Sequence, residues 1–160
     1  MFAFPDPVNE VSARLVAAGV VVATAVILVF DLEWATLLLA YGFVARVLTG
    51  PRLSPLGLLV TKVITPRLAI EPKLVPGPPK RFAQGIGAVF SITAAVLAVG
   101  FDNWAAAQIV LGLLLVAASL EAFLGFCLGC HAFALLMRAG VIPESVCERC
   151  ADLWSAPRPA

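Results

Sequence analysis

The sequence predicts an all-α polytopic membrane protein, a four-transmembrane-helix bundle built as two helical hairpins with a short interfacial helix between them. Three observations predict it. Of 160 residues, 61% are hydrophobic and only 13% charged, against roughly 45–50% and about 25% in soluble domains, so a chain this short lacks the polar surface to cover itself in water. The apolar residues gather into long uninterrupted runs, and the charges cluster between them. A net charge of +1, with no basic face, also removes the electrostatic case for nucleic acid.

The first span is read at residues 15–30, an uncharged run bounded by Arg14 and Asp31. The second, 34–49, contains one charge, Arg46, close enough to its end for the guanidinium to snorkel to headgroups. The third, 82–101, has the ~20 residues that a helix needs to cross a bilayer core. The fourth, 103–123, is uncharged as far as Glu121, and its apolar character runs on to Met137, so the helix is expected to extend past the interface and carry Cys127 and Cys130 on its continuation. The acidic, proline-containing start Met1–Glu10 does not read as a cleavable signal. The turns Phe30-Asp31-Leu32-Glu33-Trp34 and Phe101-Asp102-Asn103-Trp104 resemble each other, which points to duplicated hairpins or to a shared interfacial chemistry.

Neither turn contains Lys or Arg. Arg14, Arg46, Arg52, Lys62, Arg67, Lys73, Lys80, Arg81, Arg138, Arg149 and Arg158 all fall at the opposite end, so both termini are expected in the cytoplasm of a bacterial cell, with the bilayer of the inner membrane as the first partner. The inner loop, 52–81, opens with Ser54 as N-cap and Pro55 in the first turn of a short interfacial helix that Pro66 should end. Pro72, Pro76, Pro78 and Pro79 then predict an extended linker. The whole chain, 1–160, reads as a single membrane domain with a cytoplasmic cysteine-containing extension over 124–160.

The chemistry is expected there. Cys127, Cys130, Cys147 and Cys150 form C-x2-C-x16-C-x2-C. Two such pairs match a four-thiolate zinc site, with His131 as a substitute ligand. The same residues support thiol–disulfide or sulfane-sulfur transfer, in which Cys127 and Cys130 react and Cys147 and Cys150 resolve, with a soluble thioredoxin-like protein or sulfurtransferase as partner. An apolar setting raises thiol pKa values, so this reading requires a cation, a helix N-terminus or a metal nearby. Arg46 is the expected cation, and Glu121 its expected neighbour. Cytoplasmic placement makes any disulfide transient. Cys127-Leu128-Gly129-Cys130-His131 also fits the covalent haem motif, but the expected face and the lack of a second axial ligand argue against it. Asn9 and Gln84 are expected to join the inner polar cluster or to cap helices. Gly85-Ile86-Gly87, with Ala83 and Ala88, is read as a packing surface rather than a phosphate loop. The rival functions are a non-catalytic scaffold or subunit stapled by zinc and, third, a small-molecule transporter. The outer halves of the spans have little polar lining beyond Thr24, Ser91, Thr93 and Gln108.

Four stretches carry a family resemblance: Asp6-Pro7-Val8-Asn9-Glu10; Arg46 followed by Gly50-Pro51-Arg52-Leu53-Ser54-Pro55; Pro79-Lys80-Arg81-Phe82-Ala83-Gln84-Gly85; and Phe126-Cys127-Leu128-Gly129-Cys130. Together they resemble a bacterial membrane family known only as domain of unknown function 4395. The resemblance implies a small polytopic membrane protein and makes the first cysteine pair a family feature. It supplies no reaction, substrate or cofactor.

Overall fold

The computed structural model describes residues 7–143. The architecture is all-α. A two-residue strand β1 (Val8–Asn9) leads into α1 (Glu10–Val29), α2 (Ala35–Thr49) and a 3-10 turn (Gly50–Arg52). A short helix follows, built from α3 (Pro55–Leu59), a π-helical turn (Val60–Ile64) and α4 (Thr65–Leu68). After β2 (Leu74–Val75) come α5 (Gly77–Ala95), widened at its end by a π turn (Val96–Gly100), then α6 (Trp104–Ser119) with its own π turn (Leu120–Leu124), and finally α7 (Leu128–Arg138). Four helical segments, Glu10–Val29, Ala35–Leu68, Gly77–Gly100 and Trp104–Leu124, are long and apolar enough to cross a membrane.

Each start has a local cause. The Asn9 side chain accepts a hydrogen bond from the Val11 N–H at 3.0 Å and caps α1. Its extended backbone pairs antiparallel with β2, Val8 opposite Val75 and Asn9 opposite Leu74, and the Lys73–Glu10 ion pair at 2.9 Å continues that seam. The helix therefore begins at Glu10, five residues before the uncharged run, with Arg14 inside it. Asn103 caps α6 through the Ala106 N–H at 3.2 Å. The two short turns share a device: Asp31 and Asp102 adopt left-handed φ values of 50° and 52°, a conformation that Asp reaches at lower cost than most side chains. Trp104 Nε1 and Gln108 Nε2 donate to Asp31 Oδ1 at 2.7 and 3.2 Å, which holds both turns together at one end of the bundle.

The core lies between the helices, where Val20, Ile27, Leu39, Phe43, Leu111 and Leu114 are buried together. The most extensive packing is α2 on α5, followed by α6 on both α1 and α5, while α1 and α2 meet less closely. Gly87 makes the first contact possible, since a Cβ there would collide with the Phe43 ring. Gly129 has the matching role where α7 meets α5: a Cβ on it would come within 2.5 Å of the Ala83 Cα.

Three expectations need correction. Pro66 does not end the short helix. The π turn before it resets the hydrogen-bond ladder and puts Pro66 in the first turn of α4, where its missing N–H breaks no helical bond; the chain leaves at Ala69, with φ 48°. The extended linker is shorter than expected, because Pro78 and Pro79 belong to the first turn of α5, which starts at Gly77 rather than at 82. The fourth span does not continue into the cysteine pair: Gly125, at φ 66°, closes it and α7 begins afresh. The interfacial helix does open as expected, with Ser54 Oγ accepting from the Gly57 N–H at 3.3 Å and Pro55 in the first turn.

Candidate functional site

At the end of the bundle opposite the acidic turns, two cavities lie side by side and share one wall residue, Lys80. The prolines that start α5 at Gly77 carry Lys80 into its first turns, one helical turn before Gln84. Lys80 is 8% exposed, and its Nζ meets Glu121 Oε1 at 2.7 Å. Glu121 is thus paired, but with Lys80. The expected Arg46–Glu121 neighbourhood is not formed.

The cysteine cavity, about 240 Å³, is lined by Cys127, Cys130, His131, Lys80, Glu10 and Phe133 among others. Its shape follows from the Gly125 break. Because the chain turns there, Cys127 becomes the N-cap of α7 in extended conformation, and its Sγ accepts the Cys130 N–H at 3.2 Å. Cys127 and Cys130 are joined as a disulfide, their Cα atoms 5.2 Å apart, within the ordinary range for such a bond. Cys127 is 6% exposed, whereas Cys130 is half-buried. The Cys127 carbonyl oxygen accepts from His131 Nδ1 at 2.8 Å, and the imidazole stacks on Phe126 with centroids 4.2 Å apart. A carbonyl only accepts, so this bond puts the proton on Nδ1 and leaves Nε2 available. α7 is held in place by Phe133, which packs on Phe82 of α5 with ring centroids 5.6 Å apart.

The second cavity, about 210 Å³, is lined by Asn9, Ser12, Arg46, Thr61, Lys80 and Gln84 together with small and apolar residues. Arg46 does not snorkel: it is 5% exposed. Its Nε donates to Gln84 Oε1 at 3.0 Å and its Nη1 to Ser54 Oγ at 3.3 Å, while the Phe43 ring lies 4.5 Å from the guanidinium carbon. Nη2 is buried without a partner. Asn9 both caps α1 and lines this cavity, and Gln84 joins the cluster as expected.

The sequence reading missed Lys80 as a site residue by counting it among the bases of an extended linker. Reading Pro78 and Pro79 as first-turn prolines would have found it, since that places Lys80 and Gln84 one turn apart on a helix. For the zinc reading, two of the four ligands are bonded to each other, and among the described residues no three His, Cys, Asp or Glu side chains gather as a metal site. Cys147 and Cys150 lie outside the described residues. Of the polar side chains expected in the outer halves of the spans, Ser91 donates to Ala88 O, Thr93 to Val89 O and Gln108 to Asp31, while Thr24 Oγ1 is buried without a hydrogen-bond partner among the described residues.

No curated protein and no solved structure matches the chain. The family model described as domain of unknown function (DUF4395) matches residues 8–138, which takes in both cavities and the Cys127–Cys130 pair and stops short of the second pair. The chain is therefore a member of the DUF4395 family.

Proposed function

We propose that this is a multi-pass protein of the bacterial inner membrane that exchanges its Cys127–Cys130 disulfide with a soluble thioredoxin-like dithiol protein at the cytoplasmic face. The observation that carries the reading is the Cys127–Cys130 bond at the start of α7, in a cavity walled by Lys80. Both supply what an apolar thiol site needs, because a helix N-terminus and a cation each favour thiolate.

The exposure difference between the two cysteines supports one division of roles. A partner thiolate attacks Sγ of the more accessible Cys130, the sulfur–sulfur bond breaks, and the electron pair leaves on Cys127 Sγ. That sulfur already accepts the Cys130 N–H, so its thiolate departs into an existing donor at the helix start. The partner's second thiolate then attacks its own sulfur in the mixed disulfide and releases Cys130. Two electrons and two protons pass from the partner dithiol, which becomes a disulfide, to the pair, which becomes Cys127-SH and Cys130-SH.

The test is a trapping experiment on the full chain in detergent. Mixed with a thioredoxin whose resolving cysteine is replaced by Ser, the oxidised protein should form a mixed disulfide that peptide mass spectrometry locates at Cys130. Cys127→Ser and Cys130→Ser should each abolish the adduct while leaving membrane insertion unchanged. A Cys127–Cys130 bond that survives reduced thioredoxin untouched, in detergent and in membranes, refutes the proposal.

A further inference from the structure

The cavity beside the disulfide contains a charge that the thiol chemistry does not use. Arg46 is 5% exposed, inside a helical segment apolar enough to cross a membrane, and among the described residues no carboxylate pairs with it. Its partners are neutral: the Gln84 amide oxygen, the Ser54 hydroxyl and the Phe43 ring. Burying an uncompensated guanidinium costs several kcal/mol even after hydrogen bonding. The nearby ion pair does not offset it, because Glu121 is engaged by Lys80 at 2.7 Å. Nη2, with two N–H donors, has no partner.

The space next to Arg46 has the complementary character. Among the described residues the cavity of about 210 Å³ is lined by two cations, Arg46 and the Lys80 that Glu121 already pairs, and by no Asp or Glu. It also has neutral polar groups, Asn9, Ser12, Thr61 and Gln84. Because Gln84 Oε1 is occupied by Arg46, its amide N–H groups are left to donate. A guanidinium with one unpartnered nitrogen beside an amide donor forms a receptor for an anion that offers several oxygens.

We infer that this cavity binds a phosphate group, with Arg46 Nη2 and Gln84 as its donors. Two sources share that chemistry: the phosphodiester of an anionic lipid at the inner boundary and free inorganic phosphate. The assignment is independent of the disulfide. Lys80 nevertheless walls both cavities, so an anion there would draw on the same cation that favours the Cys127 thiolate.

The test uses the full-length protein in an uncharged maltoside detergent. In native mass spectrometry after extraction from membranes containing phosphatidylglycerol, a lipid source predicts one retained phosphatidylglycerol per chain. A free-anion source predicts a lipid-free protein whose thermal unfolding rises saturably with inorganic phosphate and not with equal ionic strength of chloride. In either case Arg46→Lys, which keeps the charge but lacks the fork, should weaken binding at least about tenfold, and Arg46→Gln should abolish it. Cys127→Ser should bind as wild type. Because Arg46→Gln removes Nε and Nη1 bonds as well, Arg46→Lys with unaltered ligand-free unfolding temperature is the decisive variant. Binding of neither probe by wild type, or wild-type binding by Arg46→Lys, overturns the inference.

Discussion

Lys80 and Glu121 show how a few charges are tolerated at the end of the bundle opposite the acidic turns, in so apolar a chain. Their side chains are 9% and 16% exposed, and their contact of 2.7 Å lies on the wall between two cavities. Such a pair gives little net stability, because desolvating two ions offsets most of their attraction, but removing one partner strands the other. Lys80→Met and Glu121→Leu should each destabilise by about 3–5 kcal/mol, and the double variant should recover most of that loss. Thermal unfolding of the four proteins in one detergent measures the cycle, and additive losses would show that the two side chains act separately. The sequence singled out Glu121 as a charge near the end of an apolar span, where a carboxylate needs a partner. It named Arg46 rather than Lys80, because the pairing depends on where α5 begins. Arg46 was legible for the same reason, as a charge within an apolar span, whereas its inward burial depends on the Phe43 ring and the Gln84 amide, which no spacing rule brings together.

At the scale of elements, hydropathy marked the four spans, and their ends were set by chemistry that hydropathy does not register. Glycine at positive φ closes the fourth span at Gly125, and that break, which an uninterrupted apolar run concealed, turns Cys127 from a mid-helix residue into an N-cap. Prolines at a helix start drew α5 out of a linker in the same way. The interiors were more readable, since small residues in Ala83–Ala88 foretold close approach. Their effect is concentrated at Gly87, where an added Cβ meets the Phe43 ring, rather than at Gly85, which faces open space. Gly87→Ala should therefore cost about 1–3 kcal/mol by overpacking the α2–α5 contact. Phe43→Leu should suppress that cost by removing the ring edge, and Gly85→Ala should be near neutral. Equal effects at the two glycines would show that helix propensity, and not the Phe43 contact, decides the outcome.

Across the whole molecule, the two hairpins exchange partners in a matched way. Arg14 of α1 donates to the Ala122 and Phe123 carbonyls at the end of α6, at distances of 3.1–3.3 Å, and Arg81 of α5 donates to the Val47 carbonyl near the end of α2 at 3.0 Å. Each satisfies carbonyls that a helix C-terminus leaves without partners. Gly50 and Gly125 follow at φ 67° and 66°, as Asp31 and Asp102 correspond at the opposite end. Swapping the hairpins maps α1 against α6 onto α5 against α2, the relation expected of a duplicated unit with both copies pointing the same way. The matched contacts go with a charge asymmetry: Asp31, Glu33 and Asp102 stand at the turn end with no Lys or Arg in either turn, while Arg14, Arg46, Lys80 and Arg81 stand at the other. The positive-inside rule then predicts one orientation strongly, with the cysteine cavity in the reducing compartment. In a cysteine-free background, a membrane-impermeant maleimide applied to intact cells should label Asn103→Cys and spare a single reintroduced Cys130, which should react only after permeabilisation. The reverse pattern would put the Cys127–Cys130 bond on the oxidising side, where a permanent structural disulfide is the ordinary outcome and exchange with a cytoplasmic partner has no route.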